Sequence, residues 1–261
     1  YDVEQHIRYN QRVTKIDWDS DSAKWTLRID QEGERASKIT CNFIYSCTGY
    51  YRYDKGYTPE FPGSDQFKGD LIHPQHWPED LDYADKKVVV IGSGATAITL
   101  VPEMAKTAKH VTMLQRSPTY VVSRPGKDPF ALRMNRWLPS NLAYLVTRWK
   151  NVTMQALIFQ YSRRRPQKMK EFLLSLTRRE LKGKVDVNKH FTPKYNPWDQ
   201  RLCLVPDSDL FRSLRKGTSS VVTDQIKTFT KTGVKLESGE LLKADIVISA
   251  TGLELLAMGG M

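Results

Sequence analysis

The stretch KKVVVIGSGATA, residues 86–97, sets the fold class of this chain. Its first half ends in four consecutive branched apolar residues, which predict a strand buried on both faces. Residues 92–105 predict a turn followed by a helix, and residues 110–115 predict the next strand. A strand, a helix and a second strand in this order form a βαβ unit, which requires a parallel sheet. We therefore expect an α/β fold.

The turn between the first strand and the helix matches the phosphate-binding pattern GxGxxG/A, with alanine at the third position. Its members are Gly92, Ser93, Gly94, Ala95, Thr96 and Ala97. The first glycine permits a tight turn, the second lets the backbone approach a pyrophosphate, and the alanine lets the helix pack close to the strand. The amides that begin the helix can bind phosphate. The pattern predicts a Rossmann-type dinucleotide site; a glycine turn that only joins strand to helix is the alternative.

The residues after the second strand indicate which dinucleotide binds. An NAD site carries an acidic residue here for the ribose hydroxyls, but this chain has Gln115, Arg116 and Ser117. No carboxylate is present to repel a 2′-phosphate, and a guanidinium forms strong charge-assisted hydrogen bonds with phosphate. We therefore expect NADPH rather than NADH, with Arg116 and Ser117 at the cofactor. A surface arginine in an NAD or FAD site is the alternative.

Strands are also predicted on both sides of the βαβ unit. Residues 11–18 and 24–30 alternate apolar and polar side chains around a DSDS turn, which is typical of a hairpin. A third strand is predicted at residues 39–46, and residues 244–250 predict a late one. Both run into an xTG sequence, one at Cys47-Thr48-Gly49 and one at Ala250-Thr251-Gly252. These repeats suggest crossings of the chain between two domains, and we expect Thr251 and Gly252 at a cofactor.

Helices are predicted between residues 130 and 184, where apolar residues recur at helical spacing. We expect two or three helices there, separated at Pro139, Pro166 and Gly183. A short strand is predicted at residues 202–205. Asp207 is predicted to cap a helix that runs through Arg215.

A longer motif lies directly before the βαβ unit. Residues 67–78 read FKGDLIHPQHWP and fit the pattern FxGxxxHxxxWP, with Phe67, Gly69, His73, Trp77 and Pro78 at its fixed positions. This is the fingerprint of type I Baeyer-Villiger monooxygenases, a flavin-containing family that the chain resembles over nearly its whole length. The segments HPQHWPEDLDY, VVVIGSGATA, HVTMLQRSPTY and YNPWDQRLCLVP are most similar to the ethionamide-activating subgroup.

The resemblance implies a flavoprotein with two dinucleotide-binding domains, one for FAD and one for NADPH. Family members reduce the flavin, add O2 to form a C4a-peroxyflavin, and convert small-molecule ketones to esters or lactones, or oxidise sulfur. Related monooxygenases that oxygenate nitrogen and sulfur carry Tyr or Phe where this chain has Trp77, and they remain the nearest alternative. A disulfide reductase would share the βαβ unit but needs a redox cysteine pair, which the chain lacks.

The resemblance also carries over residue roles. His73 would couple domain movement to the cofactor, Trp77 would pack at the domain interface, and Arg201 would be the catalytic arginine that stabilises negative charge on the peroxyflavin and the substrate adduct. Many relatives have lysine before this arginine, near the 2′-phosphate, whereas this chain has Gln200. Without the family, a salt bridge from Arg201 to Asp199 or Asp207 is the plainer interpretation.

The expected domain organisation follows from the same resemblance. Residues 1–80 would be part of the FAD domain with the linker fingerprint, residues 81–218 the NADPH domain with a helical insert at about 130–184, and residues 219–261 truncated strands returning to the FAD domain. Residues 1–46 contain one glycine, Gly33, so they lack a GxGxxG loop for FAD. We expect an internal fragment that is inactive by itself.

The composition of the chain indicates which broad class of protein it belongs to. The chain has 261 residues, 40% hydrophobic and 26% charged, with no apolar run long enough to cross a membrane. Its three cysteines, Cys41, Cys47 and Cys203, form no CxxC pair, so neither a metal site nor a disulfide framework is predicted. We expect a soluble, cytoplasmic protein.

The net charge of +11 is concentrated in residues 130–184, which hold thirteen Lys and Arg against two acids. A basic helical insert is compatible with nucleic-acid binding, which we do not expect, or with weak peripheral contact to an anionic membrane. The more common arrangement is one solvated basic face, with the aromatic side chains packed inside; these are Trp137, Trp149, Phe159 and Phe172.

Overall fold

The computed structural model describes residues 2–31 and 36–260; Tyr1, residues 32–35 with Gly33, and Met261 lie outside the described residues. The chain divides into two compact units. The smaller comprises residues 1–57 and 253–261, and the larger comprises residues 58–252.

The described residues form fifteen strands and six α-helices. The strands are β1 (Gln11–Asp19), β2 (Lys24–Gln31), β3 (Ser37–Cys41), β4 (Tyr51–Gly56), β5 (Asp70–Ile72), β6 (Lys87–Ile91), β7 (His110–Gln115), β8 (Tyr120–Arg124), β9 (Leu202–Pro206), β10 (Ser219–Thr223), β11 (Ile226–Thr230), β12 (Gly233–Leu236), β13 (Leu241–Lys243), β14 (Ile246–Ser249) and β15 (Leu253–Leu255). The helices are α1 (Ala95–Met104), α2 (Pro129–Trp137), α3 (Ser140–Arg164), α4 (Pro166–Leu181), α5 (Val187–His190) and α6 (Asp209–Lys216). Short 3₁₀ turns lie at Glu4–His6, Ser64–Gln66, Pro74–His76 and Ala257–Gly260.

The smaller unit contains the predicted hairpin. β1 and β2 pair antiparallel, and β3 adds to β2 to complete a three-stranded sheet. The predicted third strand is shorter than expected because Cys41 already pairs with Trp25, the second residue of β2, so residues 43–46 have almost no length of β2 left to pair with. In the same unit, β15 pairs with β4.

The larger unit is built on a parallel sheet of five strands in the order β10-β7-β6-β14-β5. The predicted βαβ unit is its centre, since β6, α1 and β7 lie within one or two residues of the expected positions. The chain leaves β6 toward β7 and β10 on one side, while β14 flanks β6 on the other. The α/β class is therefore confirmed, with a topological switch point between β6 and β14.

Both faces of the parallel sheet are covered, as its continuous apolar strands require. Val88 and Val90 face a core formed with α1, α4 and α6, whereas Val89 and Ile91 face the opposite side. That side is covered by the antiparallel sheet β11-β12-β13, whose Phe229 is buried in the second core. The alternation along β6 follows from the two-residue repeat of a strand.

The helical insert comprises α2, α3 and α4, with breaks where they were predicted. Pro139 directly precedes α3, Pro166 is the first residue of α4, and Gly183 follows the left-handed residue that ends α4. The expectation that the aromatics pack inside is wrong. Their side chains are exposed, with relative accessibilities of 77% for Trp137, 65% for Trp149, 44% for Phe159 and 55% for Phe172.

The segment after the helical insert differs from expectation at Asp207. β9 forms as predicted and pairs parallel with β8, but Asp207 does not cap the following helix. Asp207 and Ser208 are both left-handed, so the Asp207 carboxylate turns away from α6 and accepts a hydrogen bond from the amide of Gly126 at 3.0 Å. α6 begins two residues later, at Asp209.

The chain passes between the two compact units at residues 57/58 and 252/253, whereas the predicted domains, which are assigned by cofactor, change at 80/81 and 218/219. β10 pairs with β7 and β14 pairs with β6, so residues 219–252 belong to the same parallel sheet as the glycine loop. Pairing between strands distant in sequence decides this boundary. Which cofactor each part binds stays a prediction.

Candidate functional site

Four predicted site segments lie at one edge of the five-stranded parallel sheet, where its strands end, whereas Gln200 and Arg201 precede β9. His73 follows β5, residues 92–97 follow β6, Arg116 and Ser117 follow β7, and residues 251–252 follow β14. In a doubly wound sheet, ligands bind in the crevice outside the carboxyl ends of the strands at the switch point. Segments that are widely separated in sequence thus form one continuous edge, which we call the carboxyl edge.

Gly92 and Gly94 are glycines for different physical reasons. Gly92 has φ +133°, and a Cβ there would collide with the carbonyl oxygen of Ala250 at the end of β14. Gly94 has φ −81° at the start of α1, and apart from its chain neighbours no atom of the described residues lies within 4 Å of a Cβ built on it. The fold therefore requires glycine at 92 but not at 94, where the backbone faces open space before the uncapped amides of α1.

Neighbouring segments hold the glycine loop in place. The Ser93 hydroxyl is buried and hydrogen-bonds the Thr119 hydroxyl at 3.0 Å, and the Cys203 thiol lies 3.9 Å from the Ser93 carbonyl. Burial raises the pKa of the Cys203 thiol, so it stays protonated as a weak donor. Thr119 and Cys203 were not predicted, since nothing in the sequence pattern indicates that β8 and β9 pass this loop.

At the end of β7, two adjacent residues have opposite environments. Gln115 is buried and donates to the His190 carbonyl at 2.7 Å and to the Thr223 hydroxyl at 2.8 Å. Arg116 is exposed, and no carboxylate of the described residues lies within ion-pair distance of it. The guanidinium is therefore available to an external anion beside the crevice.

One acidic residue near this end was not predicted. Asp224 follows β10, and its amide donates to the Gln115 carbonyl at 3.0 Å. Its carboxylate accepts from the amides of Gln225 and Ser238, and hydrogen bonding from Ser238 lowers the Asp224 pKa. Each carboxylate oxygen of Asp224 thus already accepts a hydrogen bond from a backbone amide. Asp224 follows β10, not β7, so it does not occupy the position of the NAD-type acid.

His73 makes one hydrogen bond with each ring nitrogen. The Gln75 amide donates to Nδ1 at 3.2 Å, which caps the short turn Pro74–His76. The proton therefore lies on Nε2, which donates to the carbonyl oxygen of Gly252 at 3.2 Å. Gly252 is the last residue of the larger unit before the chain enters the smaller one. His73 thus ties the fingerprint segment to the second xTG sequence.

The other fingerprint residues pack in the larger unit. A Cβ on Gly69 would collide with the Asp245 carbonyl, and the Phe67 ring packs edge-on against Phe229 with centroids 5.9 Å apart. Trp77 packs edge-on against Tyr83 at 6.5 Å. It also lines a shallow apolar groove on the surface beside the first turns of α1, together with Pro74, Ala95, Thr96, Thr99 and Leu100. Pro78 follows Trp77 on the surface.

Arg201 precedes β9, which pairs with β8, rather than a strand of the five-stranded parallel sheet. Its side chain is exposed, and a chain of tyrosines holds its backbone: Tyr120 donates to the Tyr195 carbonyl at 2.7 Å, and Tyr195 donates to the Arg201 carbonyl at 2.9 Å. Burial raises the pKa of Tyr120 to about 12, so its hydroxyl remains a donor. Arg201 lies two residues before Cys203, whose thiol meets the glycine loop.

The structure does not contain the salt bridge from Arg201 to Asp199 or Asp207 that was the plainer interpretation of the sequence. Asp199 pairs instead with Arg163 at 2.9 Å, and Asp207 accepts from Gly126. Among the described residues no carboxylate lies within 4.0 Å of the Arg201 guanidinium. Gln200, beside it, is also exposed. Both side chains are therefore available to a ligand.

Separating the two hydrogen bonds of His73 gives a test of this geometry. His73→Asn replaces Nδ1 with a side-chain oxygen that can accept from the Gln75 amide, but the asparagine side chain is too short to reach Gly252. His73→Ala loses both hydrogen bonds. We expect the alanine variant to be about 1 kcal/mol less stable than the asparagine variant. Both variants should exchange amide hydrogens faster than wild type around residues 249–255. Wild-type protection of that segment in His73→Asn would contradict the Nε2 bond.

The part of the chain that the structure describes contains no group of three His, Cys, Asp or Glu side chains arranged to hold a metal ion. The candidate site residues lie at the carboxyl edge, in the fingerprint segment and in the Arg201 segment. These features define an α/β protein of the Rossmann type with open space over Gly94 at its switch point.

The chain belongs to the flavin-binding monooxygenase-like family, whose model matches residues 1–256. It is 55% identical over 261 residues to the FAD-containing monooxygenase EthA of Mycobacterium tuberculosis (strain ATCC 25618 / H37Rv), covering 100% of this chain and 53% of that protein. It is also 55% identical to the probable FAD-binding monooxygenase AlmA of Acinetobacter baylyi (strain ATCC 33305 / BD413 / ADP1), covering 100% of this chain and 52% of that protein. The chain thus spans about half the length of these relatives, and the expected resemblance is confirmed.

Solved structures share the fold. OTEMO in complex with FAD and NADP matches with a TM-score of 0.72 at 22% identity, over 99% of this chain and 55% of that one. Oxidized steroid monooxygenase bound to NADP matches with the same TM-score, identity and coverage. An open structure of cyclohexanone monooxygenase matches with a TM-score of 0.68 at 21% identity, over 98% of this chain and 56% of that one. The two-dinucleotide-domain architecture is therefore the fold to which this chain belongs.

Proposed function

We propose that this chain is the NADPH-binding portion of an FAD-dependent monooxygenase of the Baeyer-Villiger type. The whole enzyme would transfer one oxygen atom from O2 to a small-molecule ketone, giving an ester or lactone, or to sulfur. The observation that carries the proposal is the open space over Gly94 at the switch point. No packing requires glycine there, so the residue suits a ligand that approaches the backbone.

The carboxyl edge suits the pyrophosphate of NADPH. The amides that begin α1 have no intrahelical partners, and Gly94 has no side chain to cap them. The positive end of the helix dipole adds a favourable field for phosphate. Residues 92–97 would therefore hold the pyrophosphate, while Thr251 and Gly252 border the same edge.

Arg116 would distinguish NADPH from NADH. It follows β7, is exposed, and forms no ion pair with the described residues, so its guanidinium can pair with a 2′-phosphate. Gln200 has no charge to add to this contact. Selectivity for the phosphate would therefore depend mainly on Arg116, with Ser117 as a second donor.

FAD would supply the redox chemistry, by accepting hydride from NADPH and activating O2. The 261 residues contain no second GxGxxG/A pattern, so the cradle for the FAD phosphates is not proposed on these residues. The relatives support the assignment of the cofactor to the whole protein, since EthA is named as FAD-containing and AlmA as FAD-binding. Within this chain, Arg201 would supply fixed positive charge where negative charge develops during oxygen transfer.

A monooxygenase acting on nitrogen or sulfur is the second candidate, because the same flavin chemistry serves both reactions. Trp77 followed by Pro78 favours the Baeyer-Villiger type, on the resemblance of the fingerprint. Comparing oxidation of a cyclic ketone with oxidation of a tertiary amine by the full-length enzyme distinguishes the two.

The free thiols of Cys41, Cys47 and Cys203 support the proposed cytoplasmic location.

Titration calorimetry with NADPH and NADH tests the cofactor assignment directly. We expect NADPH to bind more tightly than NADH, and Arg116→Ala to weaken NADPH binding by about 1.5 to 3 kcal/mol, or roughly 10- to 150-fold. Binding of NADH should hardly change, since it lacks the 2′-phosphate. Arg133→Ala, an exposed arginine on α2, is the matched control. Equal losses for both nucleotides in Arg116→Ala would contradict the 2′-phosphate contact.

A further inference from the structure

Helix α3 presents an apolar surface to solvent. Large apolar side chains recur at spacings of three and four residues along one side of its first half, and all are exposed; we define this outer face of α3 by Leu142, Leu145, Trp149 and Val152. Trp149 keeps 65% of its accessible surface and Val152 keeps 48%. A contiguous apolar face of this kind is uncommon on a protein surface without a partner.

The side of α3 that faces its own unit packs Ile158 against the core, and its fully buried side chains are small. Its buried residues are Ala143 and Ser162, and Ser162 accepts a hydrogen bond from the Trp198 indole at 3.1 Å. Midway along the helix, Lys150 pairs with Asp128 at 3.2 Å and lies 4.6 Å from the centre of the Phe130 ring. The large apolar side chains of the first half of α3 therefore face solvent, although a surface helix normally turns its apolar side to the core.

The charge around this face has one sign. Residues 129–170 contain nine Lys and Arg and no Asp or Glu. Lys150 and Arg163 are neutralised by Asp128 and Asp199. Others point into solvent on α2 and α3, including Arg133, Arg136 and Arg148. An occupant of the outer face must therefore tolerate or neutralise positive charge.

We propose that the outer face of α3 docks on the surface of an anionic phospholipid bilayer, with the helix lying in the plane of the interface. Leucine and valine would enter the acyl boundary, tryptophan would lie at the headgroup level, and the arginines would meet the anionic headgroups. No helix in the described parts of the chain is long and apolar enough to span a bilayer, so the contact is peripheral. A second copy of the chain would bring its own arginines against these, which disfavours self-association. This inference is independent of the proposed function.

Co-sedimentation with vesicles tests the proposal, using the protein at its full natural length. The probes are vesicles of phosphatidylcholine alone and vesicles of phosphatidylcholine with phosphatidylglycerol in equal parts. We expect binding to the anionic vesicles and weakening as salt screens the charges. The variant Arg133→Gln/Arg136→Gln/Arg148→Gln removes three charges and should bind about a hundredfold more weakly, from about 1 kcal/mol for each basic residue.

A second variant separates apolar insertion from charge. Leu145→Gln/Trp149→Gln leaves the net charge unchanged and should weaken binding at least about tenfold, with loss of the blue shift in tryptophan fluorescence on vesicle addition. Leu241→Gln, an exposed leucine on β13, is the matched control and should bind like wild type. Absence of binding to anionic vesicles at low salt would overturn the proposal. So would a wild-type dimer that Leu145→Gln/Trp149→Gln converts to monomer without any vesicle binding, because the face would then belong to a second copy.

Discussion

Replacing Gly92 with alanine should lower the free energy of unfolding of the larger unit by about 3 kcal/mol or more. Its φ of +133° lies where L-residues are strained, and the added methyl group would collide with the Ala250 carbonyl at the end of β14. Both β6 and β14 are central strands, so the clash cannot be relieved at a free edge. Urea unfolding followed by circular dichroism measures the loss.

Gly94→Ala is the matched control, because it adds the same methyl group two residues away. Position 94 has an ordinary φ of −81° and open space around a Cβ, so its stability should stay within roughly 0.5 kcal/mol of wild type. NADPH binding should nevertheless fall at least about a hundredfold, since the methyl group occupies the space proposed for the pyrophosphate. Unchanged NADPH affinity in a folded Gly94→Ala protein would contradict the proposed cradle, and wild-type stability in Gly92→Ala would contradict the contact with Ala250.

Arg201→Ala is expected to depress oxygenation by about 10²- to 10³-fold in the full-length enzyme loaded with FAD. The guanidinium is exposed, lacks a carboxylate partner among the described residues, and is carried on backbone that Tyr195 holds. Its charge would therefore act on a ligand rather than on the fold. Substrate oxygenation and flavin reduction by NADPH should be measured separately, and flavin reduction should change much less.

Two comparisons make the Arg201 result specific. Arg201→Lys retains the charge but loses the planar pair of donors, so it should recover only part of the activity. Tyr195→Phe removes the hydroxyl that binds the Arg201 carbonyl and should reduce oxygenation by a few-fold at most. Equal losses of flavin reduction and oxygenation in Arg201→Ala would show that the arginine serves NADPH rather than oxygen transfer.

Local patterns were sufficient for the centre of the fold. The strands β6 and β7 and helix α1 lie within one or two residues of prediction, because a continuous apolar run, a glycine turn and a periodic helix are each encoded by adjacent residues. The three helices of the insert and the breaks beside Pro139 and Pro166 follow for the same reason. Proline restricts the backbone wherever it occurs.

Predictions that depended on an element's surroundings were less accurate. The aromatics of the helical insert were expected inside, but helical periodicity does not say which side of a helix meets the rest of the protein. Asp207 has the composition of a helix cap, yet its left-handed backbone directs the carboxylate to Gly126. The acid Asp224 was overlooked at the carboxyl edge because it follows β10, a strand far along the chain.

The sequence by itself determined the α/β class, the glycine loop, the fingerprint and the family, since each is a pattern of near neighbours. Only the tertiary structure brought His73 to the Gly252 carbonyl, Gly92 to Ala250 and Cys203 to the glycine loop. The hydrogen-bonded pairs are 179 residues apart for His73 and Gly252 and 110 residues apart for Cys203 and Ser93. His73 and Gly92 meet their partners because parallel pairing aligns the carboxyl ends of β5, β14 and β6 at one edge, whereas Cys203 is carried to the loop on β9, which pairs with β8. Strand order in a sheet is a property of the whole chain, so no local pattern can specify it.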